Sequence, residues 1–292
     1  MAGDAMTADN AVMGMNSHDA ETSDDIRRKS RAQIIREFDV RQIDRRSYLD
    51  EWRKDHRGKP PHHRTILGPT HRGKTTTEIQ MLDTEITPDD QVVMLSAKPP
   101  HRDPVMNGAA EKLNLVVVEE FPPTDIQMRY HRKRGKRGYV VRPHQTMTDL
   151  DADYENVRRE FRRAMLYCYA IKGRKVIIVH DEAHKIVNNY KLKQEYEAPL
   201  MSGLPDNASH SLIQRGRFMP YLSYDAPEDV IIFHDPDLSN QRRYSEIGGV
   251  DPRVILSITS GLQTYETKDG HTISQFLHIR RAGPRLTIVD VQ

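Results

Sequence analysis

Short β-branched runs separated by longer stretches of helical spacing set the pattern of this 292-residue chain. Ile66 and Leu67 form a first apolar run, Gln91 to Ser96 and Leu115 to Val118 a second and third. Lys175 to Val179 is nearly unbroken and ends, after His180, in Asp181 and Glu182. Such runs lack polar alternation, as expected of parallel strands covered on both faces. Helices are expected over Thr75 to Leu82, Pro104 to Leu113 and Asp149 to Ile171, the last capped by Thr148 or Asp149 with Phe161, Met165, Leu166 and Tyr169 on one face. Strands that alternate with helices predict an α/β fold, a mostly parallel sheet flanked by helices. Residues 188 to 217 are polar and read as loop with short helix. Asp229 to Phe233 is a further apolar strand, followed by short helices near Leu238 to Ile247 and Asp251 to Leu262. Strands near Ser274 to Arg280 and Arg285 to Val291, joined at Gly283-Pro284, predict a C-terminal β-hairpin.

The connection after the first strand carries the chemistry. Gly68 to Thr75 reads Gly-Pro-Thr-His-Arg-Gly-Lys-Thr, the spacing of a phosphate-binding loop. Glycines at both ends let the backbone curl so that N–H groups point inward at phosphate oxygens, and the following helix adds its positive N-terminus. Gly68, Pro69, Thr70, His71, Arg72, Gly73, Lys74, Thr75 and Thr76 are therefore the expected nucleotide-binding residues. Lys74 would meet the β and γ phosphates of ATP, and the Thr75 hydroxyl would ligate Mg²⁺. Asp181 and Glu182 fall at the carboxyl edge of a strand, where open α/β sheets bind ligands. Asp181 is expected to hold the Mg²⁺ shell and Glu182 to deprotonate the attacking water.

A net charge of +2 conceals strong segregation. Residues 1–25 carry six acids and no Lys or Arg and read as a disordered acidic tail. Residues 26–63 read as a charge-rich helical arm, with Ile34, Ile35, Phe38, Ile43, Tyr48 and Trp52 at helical spacing, and a linker containing Gly58, Pro60 and Pro61. Residues 64–292 would be the ATPase domain. The single cysteine, Cys168, excludes an internal disulfide and reads as a buried small hydrophobe. The fourteen histidines show no Cys/His zinc spacing, so no structural metal is expected. No run reaches the roughly 18 apolar residues of a membrane span, and a cytoplasmic protein without one is the expectation.

One basic stretch remains, Arg129 to Arg142. Arg129, Arg132, Lys133, Arg134, Lys136, Arg137 and Arg142 lie there with Tyr130 and Tyr139 between them, and no acid occurs between Asp125 and Asp149. Read as a mobile loop, it suits a DNA phosphate backbone better than base edges. A solvated surface run, or one that pairs with the acidic tail, is the bland alternative.

Together, the phosphate loop, Val176-Ile-Ile-Val-His-Asp-Glu-Ala-His184, Gln214-Arg-Gly-Arg217 and Val230-Ile-Ile-Phe-His-Asp-Pro-Asp-Leu238 with Arg242 and Arg243 resemble the HerA/FtsK branch of ring ATPases over residues 64–291. That resemblance implies a P-loop NTPase of RecA/ASCE-like type, assembled as hexameric rings that move double-stranded DNA, viral packaging ATPases among them. It also implies an arginine reaching across the subunit interface, for which Arg217 is the match and Arg215 the alternative, while Arg72 could act in cis. The family places an apolar strand ending in a polar sensor such as Gln between the Gly-Arg helix and the next strand. Here only Phe218 to Tyr224 separate Arg217 from Asp225, so that strand is expected to be missing. The competing expectation makes Asp229 to Phe233 the sensor strand beside Val176 to Val179, with His234 or Asp235 at the γ phosphate. A DEAH-like helicase, from Asp181-Glu-Ala-His184, and a nucleotide-binding scaffold without turnover are the functional alternatives.

Overall fold

The computed structural model describes residues 29–99, 103–203, 205–266, 272–281 and 285–291. The acidic tail and the Gly283-Pro284 turn lie outside the described residues. Twelve strands are described: β1 (Arg41–Asp44), β2 (Arg64–Leu67), β3 (Gln91–Leu95), β4 (Val116–Val118), β5 (Gly138–Val141), β6 (Val176–His180), β7 (Asn207–Ile213), β8 (Asp229–Phe233), β9 (Thr264–Glu266), β10 (Thr272–Ser274), β11 (Phe276–Arg280) and β12 (Arg285–Asp290). Ten form one sheet in the order β1-β12-β11-β8-β2-β7-β6-β3-β5-β4, and β9 pairs with β10 apart from it. Within the sheet β11 runs antiparallel to both neighbours and every other pairing is parallel. The expected α/β architecture with a C-terminal hairpin is thus present.

The helices are α1 (Arg31–Glu37), α2 (Arg45–His56), α3 (Lys74–Glu85), α4 (Pro104–Lys112), α5 (Asp125–Lys133), α6 (Leu150–Ala170), α7 (Lys193–Ser202), α8 (Leu222–Asp225), α9 (Leu238–Gln241) and α10 (Pro252–Ser260). Apolar side chains of β2, β3, β6, β7 and β8 pack under α3 and α4 through Met81, Leu82 and Met106, and the other face of β3, β5 and β6 packs against α6. No described helix is long and apolar enough to cross a membrane.

Several expectations need correction. Between Arg217 and Asp229 the described residues form no strand, as expected, but the edge of the acidic strand is not left unpaired: β7, inside the stretch read as loop, pairs with both β2 and β6. Asp229 to Phe233 does not lie beside Val176 to Val179, since β8 pairs with β2 and β11. The basic stretch is not a mobile loop but helix α5, closed by a Thr124–Gln127 capping box, then a turn, then the buried strand β5. Gly138 opens β5 at φ 153°, where a Cβ would meet the Val92 carbonyl oxygen at 1.8 Å, so only glycine lets the strand close on β3. On α6 the inward face is Val157, Phe161, Ala164, Met165 and Cys168, whereas Leu166 and Tyr169 face outward. Finally, the arm read as helix alone contains β1, which pairs with β12, and it seats Tyr48 and Trp52 in the core.

Candidate nucleotide site

Register brings the site together. Leu67 of β2 lies opposite Ile213 of β7, so Gly68 and Gln214 leave the sheet side by side, tied by a Gly68 N–H bond to the Ile213 carbonyl of 3.1 Å. His180 of β6 lies opposite Ser211, which brings Asp181 and Glu182 to the same edge. Gly68 adopts φ 152°, and a Cβ there would come within 2.7 Å of the Phe233 Cβ. Glycine is thus required by both the turn and its neighbour strand. Gly73, at φ 86°, begins α3, and Lys74 follows as its first residue.

Lys74 is buried and its Nζ donates to the Pro69 carbonyl at 2.7 Å, so the loop holds its own lysine across its mouth. Burial pulls the Lys74 amine down to about 8, a fall that the Asp181 charge opposes. Thr75 Oγ1 stands 3.5 Å from Asp181 Oδ1. These oxygens are the hard donors that Mg²⁺ prefers, so the residues present fit the ion expected from the sequence. Asp181 is raised above the usual carboxylate range, chiefly by burial, although the Lys98 ammonium, 3.1 Å away, works against that. Glu182 also feels burial, but the hydrogen bond from Lys185 and the charge of Lys98 outweigh it and lower its pKa. It therefore stays ionised, the form that a general base needs. Its backbone sits at φ 53°, a conformation costing about 1–3 kcal/mol that clusters at functional sites.

Gln214 joins the two halves. Its Nε2 donates to Glu182 Oε1 at 3.2 Å, and its Oε1 accepts from Thr70 Oγ1 at the same distance. A polar amide at the tip of the strand between phosphate loop and carboxylate can hold a water against both. In the sequence Gln214 stands in a recognisable motif but carries no evident role, because β7 is hidden there, and Lys98 is missed entirely. The apolar pair Leu212-Ile213 directly before Gln214 is the available signal for the former.

The other expected residues surround this edge or lie beyond it. Arg72 donates from Nη1 to the Thr264 hydroxyl of β9, and both residues line the cleft beside the loop. Arg217 is exposed, stacked over Phe218 with its guanidinium carbon 4.6 Å from the ring centroid and bonded to Ser239 Oγ at 3.3 Å. Arg215 lines the cleft beside the loop, a volume of about 770 Å³ bounded also by Pro69, Thr70, His71 and Gln214. That volume suits a nucleotide-sized ligand. His71 and Thr76 are exposed. His234 bonds through Nδ1 to the Thr259 carbonyl, while Asp235 accepts from Asn240 Nδ2 at 2.9 Å and lines the same cleft.

Of the basic residues, Arg129, Arg132, Lys133 and Arg134 are exposed on α5 and its end, while Lys136 and Arg137 are partly buried beyond it. Arg142 does not belong with them: it is buried, with Nη1 donating to Asn107 at 2.6 Å and Nη2 standing 3.7 Å from Asp103. Because α5 leads into the start of β5, its C-terminal arginines lie at the amino edge of the sheet, opposite the phosphate loop.

Neither a family model nor a curated protein matches this sequence. Among solved structures, VirB4 of Thermoanaerobacter pseudethanolicus superposes with a TM-score of 0.51 at 10% identity, over 77% of this chain and 88% of that one. The genome packaging NTPase B204 from Sulfolobus turreted icosahedral virus 2 gives a TM-score of 0.49 at 13% identity, over 80% and 98%. The VirB4 superposition shows a shared fold.

Proposed function

We propose that this chain is a Mg·ATP hydrolase that moves double-stranded DNA as a ring of identical copies. The observation that carries the hydrolase is the convergence of Lys74, Asp181, Glu182 and Gln214 at one edge of the sheet, from the ends of adjacent strands. In this reading Lys74 leaves the Pro69 carbonyl for the phosphates, and Thr75 and Asp181 hold the ion that neutralises charge building on them. Gln214 orients a water, Glu182 takes its proton, and the water oxygen bonds to the γ phosphorus as the bond to the β-phosphate oxygen breaks.

DNA as partner is supported by the exposed cations of α5, which offer phosphate contacts without sequence preference. Assembly into a hexamer follows the family resemblance. The exposed Arg217, or Arg215, would then reach the cleft of the adjacent copy. A non-hydrolysing scaffold is the second reading, favoured by Lys98 and Lys185 bonding to the very carboxylates that catalysis needs.

ATP turnover with and without DNA separates these readings. Stimulation by double-stranded DNA is expected. Glu182→Gln should keep ATP binding and lower turnover by about 10²–10⁴-fold. A DNA-insensitive rate removes the translocase, and a Glu182→Gln rate equal to that of the unaltered chain moves the base elsewhere. Neutralising Arg132, Lys133, Arg134, Lys136 and Arg137 together should flatten the salt dependence of DNA binding, by about 0.9 in logarithmic slope for every phosphate that the variant no longer neutralises.

A further inference from the structure

At the amino edge of the sheet, on the side away from the phosphate loop, His56 ends α2, His62 follows it in the linker, and Asp229 begins β8. One ligand atom from each lies within 4.8 Å of the other two. We propose that these three residues bind a divalent transition metal of the zinc class, fastening the α2 segment and its linker to the sheet.

Two atoms argue for an occupant. His56 Nε2 and Asp229 Oδ2 are both buried without a hydrogen-bond partner, and they face each other at 3.5 Å, longer than a good N–H···O bond. Burying two such groups unpaired carries the full cost of their lost hydration. Their separation matches the edge of a tetrahedron, about 3.4 Å for metal bonds near 2.1 Å.

The surrounding bonds present the right lone pairs. His56 Nδ1 lies 3.0 Å from the Trp52 carbonyl, which can only accept, so the ring proton sits on Nδ1 and Nε2 is left free as a ligand. The same ring is stacked on Trp52 at a centroid distance of 3.5 Å, which fixes its plane. Asp229 Oδ1 accepts from His278 Nε2 at 2.9 Å, orienting Oδ2 inward. A histidine donating its far nitrogen to a carbonyl, and a carboxylate held by a second hydrogen bond, are the usual outer partners of metal ligands. His62 stands edge-on to His56 with ring centroids 5.2 Å apart. Two imidazoles and one carboxylate suit zinc or cobalt and not magnesium or calcium. A water can complete the fourth position. One histidine at a helix end, another six residues on in the linker, and a carboxylate far along the sequence form no Cys/His pattern, so the spacing gives no sign of the site.

The competing arrangement is a metal-free ion pair between a protonated His56 and Asp229, in which His62 has no part. His62→Ala separates the two: the side chain is only half buried on the linker, and its loss leaves the pair intact. Full-length, nucleotide-free, chelator-stripped protein is titrated with Co²⁺ and followed by the visible absorption of a tetrahedral site, with Zn²⁺ as competitor. The intact chain is expected to take up one equivalent and to melt higher with Zn²⁺. Outer-partner changes alone cost 10–100-fold in affinity, so His62→Ala should lose more than about 100-fold together with the rise in melting temperature. Absence of uptake by the intact chain, or equal affinity in His62→Ala, overturns the assignment.

Discussion

Two clusters of buried charge lie at opposite ends of the same strand, and they are built in contrasting ways. At the start of β2, the Arg64 guanidinium donates to Glu78 at 2.9 Å and to Glu85 at 2.6 Å, and lies 4.6 Å from the Trp52 ring centroid. Glu78 also bonds His210, and Glu85 accepts from the Trp52 indole. Apart from Arg64 Nε, the network is closed. Burial, the largest single influence, would raise Glu78, but the charges and hydrogen bonds of Arg64 and His210 together outweigh it and hold it down to about 2. At the end of β2 the situation reverses. Lys74 is pulled down to about 8 and Asp181 is raised, because burial there is not fully repaid by opposite charge. Both clusters sit in the interior, yet only the first is complete. The second holds its charges short of partners, and an anionic ligand with its cation supplies what is missing.

The largest effect should come from opening the closed cluster. Arg64→Ala leaves Glu78 with His210 and Glu85 with the Trp52 indole as their remaining partners, two buried carboxylates without their cation, and should cost about 3–5 kcal/mol of stability, read as a lower urea midpoint. A loss under about 1 kcal/mol would mean that the network contributes little beyond packing.

A smaller effect belongs to the open cluster and to pH. Phosphates restore the Lys74 charge, so ATP binding takes up a proton wherever the free enzyme has lost it. Below pH 8 the amine is already charged and affinity is level; above about pH 8 affinity should fall up to tenfold per unit. The folding contribution has the opposite sign. Between pH 8 and the ordinary lysine value the unfolded chain holds more protons than the folded one, so ligand-free stability rises with pH there. Calorimetry in buffers of different ionisation enthalpy reads the proton uptake directly; none at pH 9 would contradict the buried, depressed Lys74.

The open cluster was the more legible of the two. Gly68 to Thr75 and the Asp181-Glu182 tip stand next to apolar runs, and their spacing alone announces phosphate chemistry. β7 was hidden for a physical reason. Its buried polar residues Asn207, Ser209, His210 and Ser211 are solvated internally: His210 by Glu78, Ser211 by Tyr196, Ser209 by His63 and His180. Those partners are remote in sequence, so a central strand looked like a loop, and Gln214 lost its role with it. β5 was masked by the cations before it, although Gly-Tyr-Val-Val is apolar. β1 was masked by its exposure at the sheet edge, where hydrophobic alternation is not needed. The closed cluster was illegible because Arg64, Glu78 and Glu85 look like ordinary surface charges until the fold buries them.

Thermal melting of the intact chain and Lys74→Ala, each with and without Mg·ATP, tests most directly whether the open cluster exists for its ligand. Ligand that binds only the folded state raises its stability, by about 2.7 kcal/mol at one hundred times Kd. The intact chain should melt higher with Mg·ATP, while Lys74→Ala should melt without nucleotide at least as high as the intact chain and gain nothing from it. A Lys74→Ala protein that melts well below the intact chain without nucleotide, yet still gains from Mg·ATP, would contradict this account and make Lys74 a structural residue.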